Sequence, residues 1–177
     1  MPSDAYDNRR QADIAKLLEL QTEFHGVVSV TRTAGHPVTL VELEIKLKTA
    51  RNARFPDETQ VSNAVQIQLA ARYPFDSPKV VVTTPIWNPN IWPDGQICWE
   101  MLGKKWSPTY NLAMVVKGVM QILALDPAII NLASPANSEA SKWYAAASRR
   151  NPSIFPTVRL DSLRAPAQRT IQWRTIK

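Results

Sequence analysis

The chain has 177 residues, 45% hydrophobic and 20% charged, which indicates one soluble globular domain. Its five glycines lack nucleotide-binding spacing, and one cysteine with two histidines excludes a Cys/His zinc cluster and a disulfide framework, so we expect no metal or cofactor. The net charge of +6 suggests a polyanionic partner, but residues 1–141 carry 13 basic and 14 acidic side chains while residues 142–177 carry eight and one, so the excess is C-terminal.

The N-terminal half predicts one helix followed by a sheet. Residues 8–24 repeat apolar side chains at helical spacing, with Arg9, Arg10 and Lys16 among the polar positions. Residues 38–49 alternate apolar and charged side chains, which is typical of a half-buried antiparallel strand. Four strands are predicted in succession and should form an antiparallel meander: 27–33, 38–49, 61–71 and 79–84.

A proline-rich segment separates the predicted sheet from the C-terminal half. Five prolines lie between residues 74 and 93, and proline removes a backbone donor, so this segment predicts a long ordered loop. Such loops are often functional. The loop leads through an Asp-Gly turn to Cys98, the only cysteine, which should therefore be presented to solvent.

Two helices are predicted in the C-terminal half. The first covers residues 109–125, with Ser107 as its cap and Pro108 in its first turn. The second covers residues 137–150, with Asn137 as its cap and two arginines in its last turn.

The remaining residues, 151–177, are predicted to form a basic, extended or partly disordered tail beyond a core domain at 8–150. Three prolines prevent a long helix there. The tail could fold onto the body, recruit a partner, or keep the protein soluble. No apolar run resembles a signal peptide or is long enough to span a bilayer, so we expect a cytoplasmic protein without a membrane partner.

Cys98 is the candidate nucleophile, although a single cysteine is often structural. A cysteine–histidine pair is not indicated, because His25 and His36 both lie in the N-terminal third without a recognisable motif. The chemistry must then proceed without a histidine base. Thiol–thioester exchange meets that requirement, because the thiolate is itself a strong nucleophile.

Four short motifs in order resemble the catalytic region of ubiquitin-conjugating enzymes: Tyr73-Pro-Phe-Asp-Ser-Pro-Lys79, Asn88-Pro-Asn-Ile91, Gly95-Gln-Ile-Cys98 and Trp106-Ser-Pro108. The resemblance covers roughly residues 10–148. It implies an α+β fold with an N-terminal helix, a four-stranded antiparallel meander and C-terminal helices. It also implies that Cys98 accepts a ubiquitin-like modifier from an activating enzyme as a thioester. The modifier would then pass to an amine, a lysine in the family, of a protein target.

The resemblance assigns roles to three asparagines. Asn90 matches the motif asparagine that stabilises the oxyanion or orders its loop, although a turn-forming role would also suit it. Asn88 replaces a largely architectural histidine, and an amide can donate and accept similarly. Asn131 stands where the family often has an acidic residue that orients the lysine, or it is a plain loop residue. Trp99 after the cysteine is atypical and could narrow the groove for the modifier's tail, whereas core packing is the alternative for Trp99 and Trp106.

Two partner surfaces are implied by the same resemblance. Basic side chains of the first helix correspond to the docking face for the activating enzyme: Arg9, Arg10 and Lys16. Side chains of two loops correspond to the ligase-binding surface: Phe75, Ser107 and Pro108. A solvated basic face explains the first set equally well. Asp76 replaces a common lysine, which leaves the need for a ligase open.

With these departures from the common motif, the chain resembles the enzymes of bacterial ubiquitin-like conjugation systems, some of which serve antiphage defence. Two other functions stay open. The chain could be a catalytically inactive ubiquitin-conjugating-like scaffold, although such variants usually lack the cysteine. It could also be a basic nucleic-acid-binding module, which is less favoured because the body is close to neutral.

Overall fold

The computed structural model describes residues 5–166, which fold into three α-helices, two short 3₁₀-helices and six strands. The α-helices are α1 (Ala5–Glu23), α2 (Leu112–Leu123) and α3 (Ser138–Arg150). The strands are β1 (Val28–Ala34), β2 (Leu40–Ile45), β3 (Thr49–Ala50), β4 (Thr59–Gln60), β5 (Asn63–Gln68) and β6 (Lys79–Val82). Within residues 5–166, none of the helices combines the length and the apolar character that crossing a bilayer requires.

The main sheet is the predicted four-stranded antiparallel meander, in the order β1-β2-β5-β6. The alternation in β2 buries Val41, Leu43 and Ile45 on one face, and Val41 pairs with Ile67 of β5. That face forms one apolar core with α1 and α2, so the predicted α+β fold is confirmed. The short β3–β4 ribbon was not predicted.

Of the two C-terminal helices, α3 begins where the sequence predicts and α2 does not. α3 begins after Asn137, whose side chain accepts a hydrogen bond from the Ala140 N–H at 3.0 Å, as predicted. α2 begins three residues later than predicted, because Asn111 rather than Ser107 is its cap. The Ser107 hydroxyl instead accepts the N–H of Thr109 within the preceding turn, so the predicted Ser107 cap is wrong.

Residues 151–166 pack against the body, which is one of the three possibilities left open for the tail, and they include a short 3₁₀-helix at Leu160–Leu163. Phe155 is buried and stacks on Tyr144 of α3 with ring centroids 4.6 Å apart. Thr157 donates from its N–H and its hydroxyl to two backbone carbonyls of the body, each at 2.8 Å. Arg164 forms an ion pair of 3.2 Å with Glu23 at the end of α1. Residues 167–177 of the predicted tail lie outside the described residues.

Candidate active site

A glycine turn carries the chain from the proline-rich loop to Cys98. Gly95 has a φ of +87°, and a Cβ there would lie 2.0 Å from the carbonyl oxygen of Val82. The conformation and the contact both require glycine. The Asp94 carboxylate accepts the Gln96 N–H at 3.0 Å, and the Val82 N–H donates to the Gly95 carbonyl at 2.8 Å. The turn is thereby fixed to β6, and Cys98 follows it with an exposed side chain.

Cys98 lies in a cleft of about 420 Å³. Its backbone N–H donates to the carbonyl of Asn90 at 2.8 Å, which joins the cysteine directly to the motif asparagine. The polar side chains around the cleft include Asn90, Glu100, Lys105 and Asn131. The structure therefore brings together three of the four residues that we predicted to be catalytic.

Asn88, the fourth, lies behind the cleft and is fully buried. Its side-chain NH₂ donates to the carbonyl of Ile122 in α2 at 2.6 Å, and its oxygen accepts the Asn90 N–H at 2.9 Å. Both ends of the amide are therefore used to hold the loop against α2. This is the architectural role that the sequence led us to expect for the replaced histidine.

The Asn90 side chain ties the cysteine loop to the loop that follows α2. Its NH₂ donates to the carbonyl of Ile129 at 3.2 Å, and its oxygen accepts the backbone N–H of Asn131 at 2.9 Å. The residue is only 2% exposed. In this arrangement Asn90 orders the neighbouring loop and keeps one N–H of its NH₂ beyond the bond to Ile129.

The Asn131 side chain organises its own turn. Its oxygen accepts the backbone N–H groups of Ala133 and Ser134, both at 3.1 Å. The two backbone donors identify which end of the amide is the oxygen, because an NH₂ group could not accept them. Asn131 therefore has the turn-forming contacts of a loop residue and also lines the cleft.

Glu100 and Lys105 were missed in the sequence analysis. They form an ion pair on the wall of the cleft, and Glu100 is the only carboxylate among the described residues that line it. The hydrogen bond and the charge of Lys105 lower the pKa of the exposed Glu100 carboxyl. The signal was an acidic residue two positions after the candidate nucleophile.

Both tryptophans of this region pack against the body. The six-membered part of the Trp99 ring covers Gly118 of α2, where a Cβ would lie 2.0 Å from a ring carbon. The Trp106 ring N–H donates to the carbonyl of Pro74 at 2.7 Å. Trp99 nevertheless lines the cleft beside Cys98, so it forms part of the wall while its ring is anchored on α2.

Only part of the predicted basic face of α1 is exposed to solvent. Arg10 is 3% exposed, and its guanidinium donates to three backbone carbonyls at 2.6–3.1 Å, so its placement on an exposed docking face is wrong. Arg9 pairs with the buried Asp13 at 3.1 Å and donates to the carbonyl of Pro108 at 2.5 Å. Lys16 is the basic residue of this set that remains exposed.

The inward position of Arg10 could have been recognised in the sequence. Residues 10, 13, 17, 20 and 24 follow the 3–4 spacing of one helical face, and all five are buried. On that face Asp13 accepts a hydrogen bond from Tyr73. Burial and that hydrogen bond raise the pKa of Tyr73.

The predicted ligase-binding residues share one end of the molecule. Phe75 is 58% exposed, and its ring lies 6.1 Å from that of Tyr6 in an edge-on arrangement. A shallow cleft of about 350 Å³ lies between them. Arg9 lines this cleft and donates a hydrogen bond to the carbonyl of Pro108, the residue after Ser107. This hydrogen bond links the two loops.

Comparison with known proteins identifies the family. A sequence model of the family described as "Ubiquitin-conjugating enzyme" matches residues 13–154. The chain therefore belongs to the ubiquitin-conjugating enzyme family.

Several fungal relatives are similar to part of the chain. Ubiquitin-conjugating enzyme E2 2 of Trichoderma harzianum is 37% identical over 78 residues, which are 44% of this chain and 49% of that protein. Ubiquitin-conjugating enzyme E2-20 kDa of Schizosaccharomyces pombe is 32% identical over 80 residues, or 45% and 43%. The chain thus spans about half the length of the curated relatives it matches.

Proposed function

We propose that this protein carries a ubiquitin-like modifier as a thioester on Cys98 and transfers it to an amine of a protein target. The observation that carries the proposal is the exposed thiol of Cys98 in a cleft, hydrogen-bonded through its backbone to Asn90. The relatives named as ubiquitin-conjugating enzymes support the same class of reaction.

Loading exchanges one thioester for another. The Cys98 thiolate attacks the carbonyl carbon of the modifier's C-terminal residue, which an activating enzyme presents as a thioester. A new C–S bond forms to Cys98, the old C–S bond breaks, and the activating enzyme's thiolate leaves and takes up a proton. No histidine base is needed, because the thiolate is the nucleophile.

Transfer is an aminolysis. A neutral amine of the target attacks the Cys98 thioester and a C–N bond forms. The C–S bond then breaks, the Cys98 thiolate leaves, and the proton lost by the amine nitrogen passes through solvent to that thiolate. Glu100 attracts the target lysine as an ammonium before it loses its proton, and because its ion pair with Lys105 is exposed and therefore weak, the incoming ammonium can replace Lys105. Glu100 would thus attract the ammonium, which the uncharged amide of Asn131 cannot do.

Two surfaces are proposed for partners. Lys16 on α1 is proposed as a contact for the activating enzyme, because it is exposed, whereas Arg10 is buried and Arg9 is hydrogen-bonded within the fold. The exposed ring of Phe75, with the turn at Ser107 and Pro108, is proposed for a ligase. A role in a bacterial antiphage system stays a prediction from the altered motif.

The test is formation of a covalent adduct with ubiquitin, a ubiquitin-activating enzyme and ATP, followed on a non-reducing gel. We expect one adduct that is lost on treatment with thiol and absent from Cys98→Ala. The Cys98→Ser variant is the matched control and should give an oxygen ester that resists thiol. Non-covalent binding without an adduct would favour the inactive scaffold, and an adduct on Cys98→Ala would contradict the mechanism.

A further inference from the structure

The side-chain amides of Asn88, Asn90 and Asn131 are linked in that order through backbone hydrogen bonds, and the last of them lies at the cleft. Each oxygen accepts a backbone N–H: Asn88 from Asn90, Asn90 from Asn131, and Asn131 from Ala133 and Ser134. The NH₂ groups of Asn88 and Asn90 donate to the carbonyls of Ile122 and Ile129. Within residues 5–166, the NH₂ group of Asn131 has no hydrogen-bond partner.

The end of the Asn131 amide that remains available is therefore a donor. An NH₂ group carries two N–H bonds and no lone pair that accepts, so it cannot receive a hydrogen bond from an ammonium. It can donate to a carbonyl oxygen or to an oxyanion. With its oxygen occupied by two backbone donors, this side chain is unsuited to the lysine-orienting role expected from the acidic residue of the family.

Asn131 and Cys98 are both attached to Asn90. The Cys98 N–H donates to the Asn90 carbonyl at 2.8 Å, and the Asn131 N–H donates to the Asn90 side-chain oxygen at 2.9 Å. Both residues also line the same cleft. The thiol and the unused NH₂ group are thus positioned by one buried residue that is 2% exposed.

We propose that Asn131 is an oxyanion donor, whose NH₂ group stabilises the tetrahedral intermediate formed on the Cys98 thioester. This inference rests on the proposed function. When a nucleophile adds to the thioester carbon, the carbonyl π electrons move onto oxygen. The Asn131 N–H stabilises that oxygen's charge until the C–S bond breaks and the carbonyl reforms. The proton leaves from the nucleophile, so Asn131 neither gains nor loses one.

A donor to the oxyanion acts on every nucleophile, because the oxyanion forms whichever nucleophile adds. A group that orients lysine acts on lysine alone. The two roles therefore predict opposite results for Asn131→Asp, which keeps an oxygen for Ala133 and Ser134 but loses the NH₂ group. An oxyanion role predicts slower discharge, whereas a lysine-orienting role predicts faster discharge to lysine.

The experiment uses a short peptide ending in Gly-Gly, activated as a mercaptoethanesulfonate thioester, to acylate the full chain by thiol exchange. Because Cys98 is the only cysteine, the site of loading is unambiguous. Discharge to hydroxylamine and to free lysine is followed by intact mass for the wild type, Asn131→Asp, Asn131→Ala and the control Ser134→Ala. Ser134 is exposed, and its contact with Asn131 is through the backbone N–H, which alanine retains.

We expect both Asn131 variants to slow discharge to either nucleophile by roughly 100-fold, the usual loss for one oxyanion donor, and Ser134→Ala to match the wild type. The ratio of the Asn131→Asp rate to the wild-type rate should rise as the pH falls toward about 4, where the protonated carboxyl regains a donor. Unchanged discharge of Asn131→Asp to hydroxylamine would overturn the inference. So would faster discharge to lysine, or slowing confined to Asn131→Ala.

Failure of the proposed function would look different. The same peptide carried as a thioester on N-acetylcysteine gives the uncatalysed rate. If wild-type discharge does not exceed that rate, the cleft has no transfer activity and the proposed function fails. If the wild type exceeds it and Asn131→Asp equals the wild type, only the assignment of Asn131 fails.

Discussion

Replacing Asn88 by alanine would remove two hydrogen bonds from the buried base of the catalytic loop. The carbonyl of Ile122 would lose its donor at 2.6 Å, and the N–H of Asn90 would lose its acceptor at 2.9 Å. Asn88 is fully buried, so water cannot readily replace either partner. At about 1–3 kcal/mol for each unsatisfied buried group, we expect unfolding to become easier by roughly 2–6 kcal/mol.

Urea unfolding followed by tryptophan fluorescence measures this loss, since Trp87 and Trp99 flank the loop. The matched variant Asn88→Asp keeps an acceptor for the Asn90 N–H but loses the donor to Ile122. If Asn88→Ala destabilises the protein by less than about 1 kcal/mol, neither the Ile122 carbonyl nor the Asn90 N–H depends on Asn88 for its hydrogen bond.

Three further predictions concern the turn, the cleft and α1. Gly95→Ala should destabilise the protein by more than about 1 kcal/mol in urea unfolding, because its φ and its contact with the Val82 carbonyl both exclude a Cβ. Glu100→Gln should slow discharge to lysine by roughly two- to fivefold, the effect of an exposed ion pair, and leave discharge to hydroxylamine unaltered. Burial and Asp13 raise the pKa of Tyr73. The contribution of Tyr73 to the free energy of unfolding should therefore be constant below its ordinary pKa of 10.0 and fall above it, where only the unfolded chain loses the proton. Tyr73→Phe should remove that component of the alkaline fall, and equal pH profiles for the two proteins would contradict it.

Local patterns predicted the sheet and the motif loop because their causes are local. Strand β2 buries every second residue, so alternation alone located it. Gly95 and the prolines before it restrict the backbone wherever they occur, so the loop and the exposed cysteine followed from them.

Long-range contacts account for what the sequence did not predict. Helical spacing places Arg10 on the inward face of α1, but its three carbonyl acceptors lie 28 to 61 residues away in sequence, so the contacts that satisfy its charge could not be predicted. Residues 151–166 lie on the body because Phe155 finds an aromatic partner in α3 and Arg164 finds Glu23. The sequence pattern led us to Ser107 as the cap of α2, but the structure uses Asn111, a residue type that caps helices equally well.

The role of Asn131 illustrates the same limit within the cleft. The residue type left open whether the amide presents its oxygen or its NH₂ group to a substrate. That choice depends on the N–H groups of Ala133 and Ser134, which the fold turns toward the oxygen. The difference determines whether the side chain is suited to an amine or to an oxyanion.

The proposed function requires Cys98 to carry the modifier and pass it on, rather than to be only a reactive thiol. The most direct test loads wild-type protein with ubiquitin, removes ATP, and follows the decay of the adduct with and without free lysine. We predict that lysine accelerates the decay in proportion to its concentration and yields a ubiquitin–lysine conjugate. An adduct that decays at the same rate with and without lysine would show that Cys98 does not pass the modifier to amines.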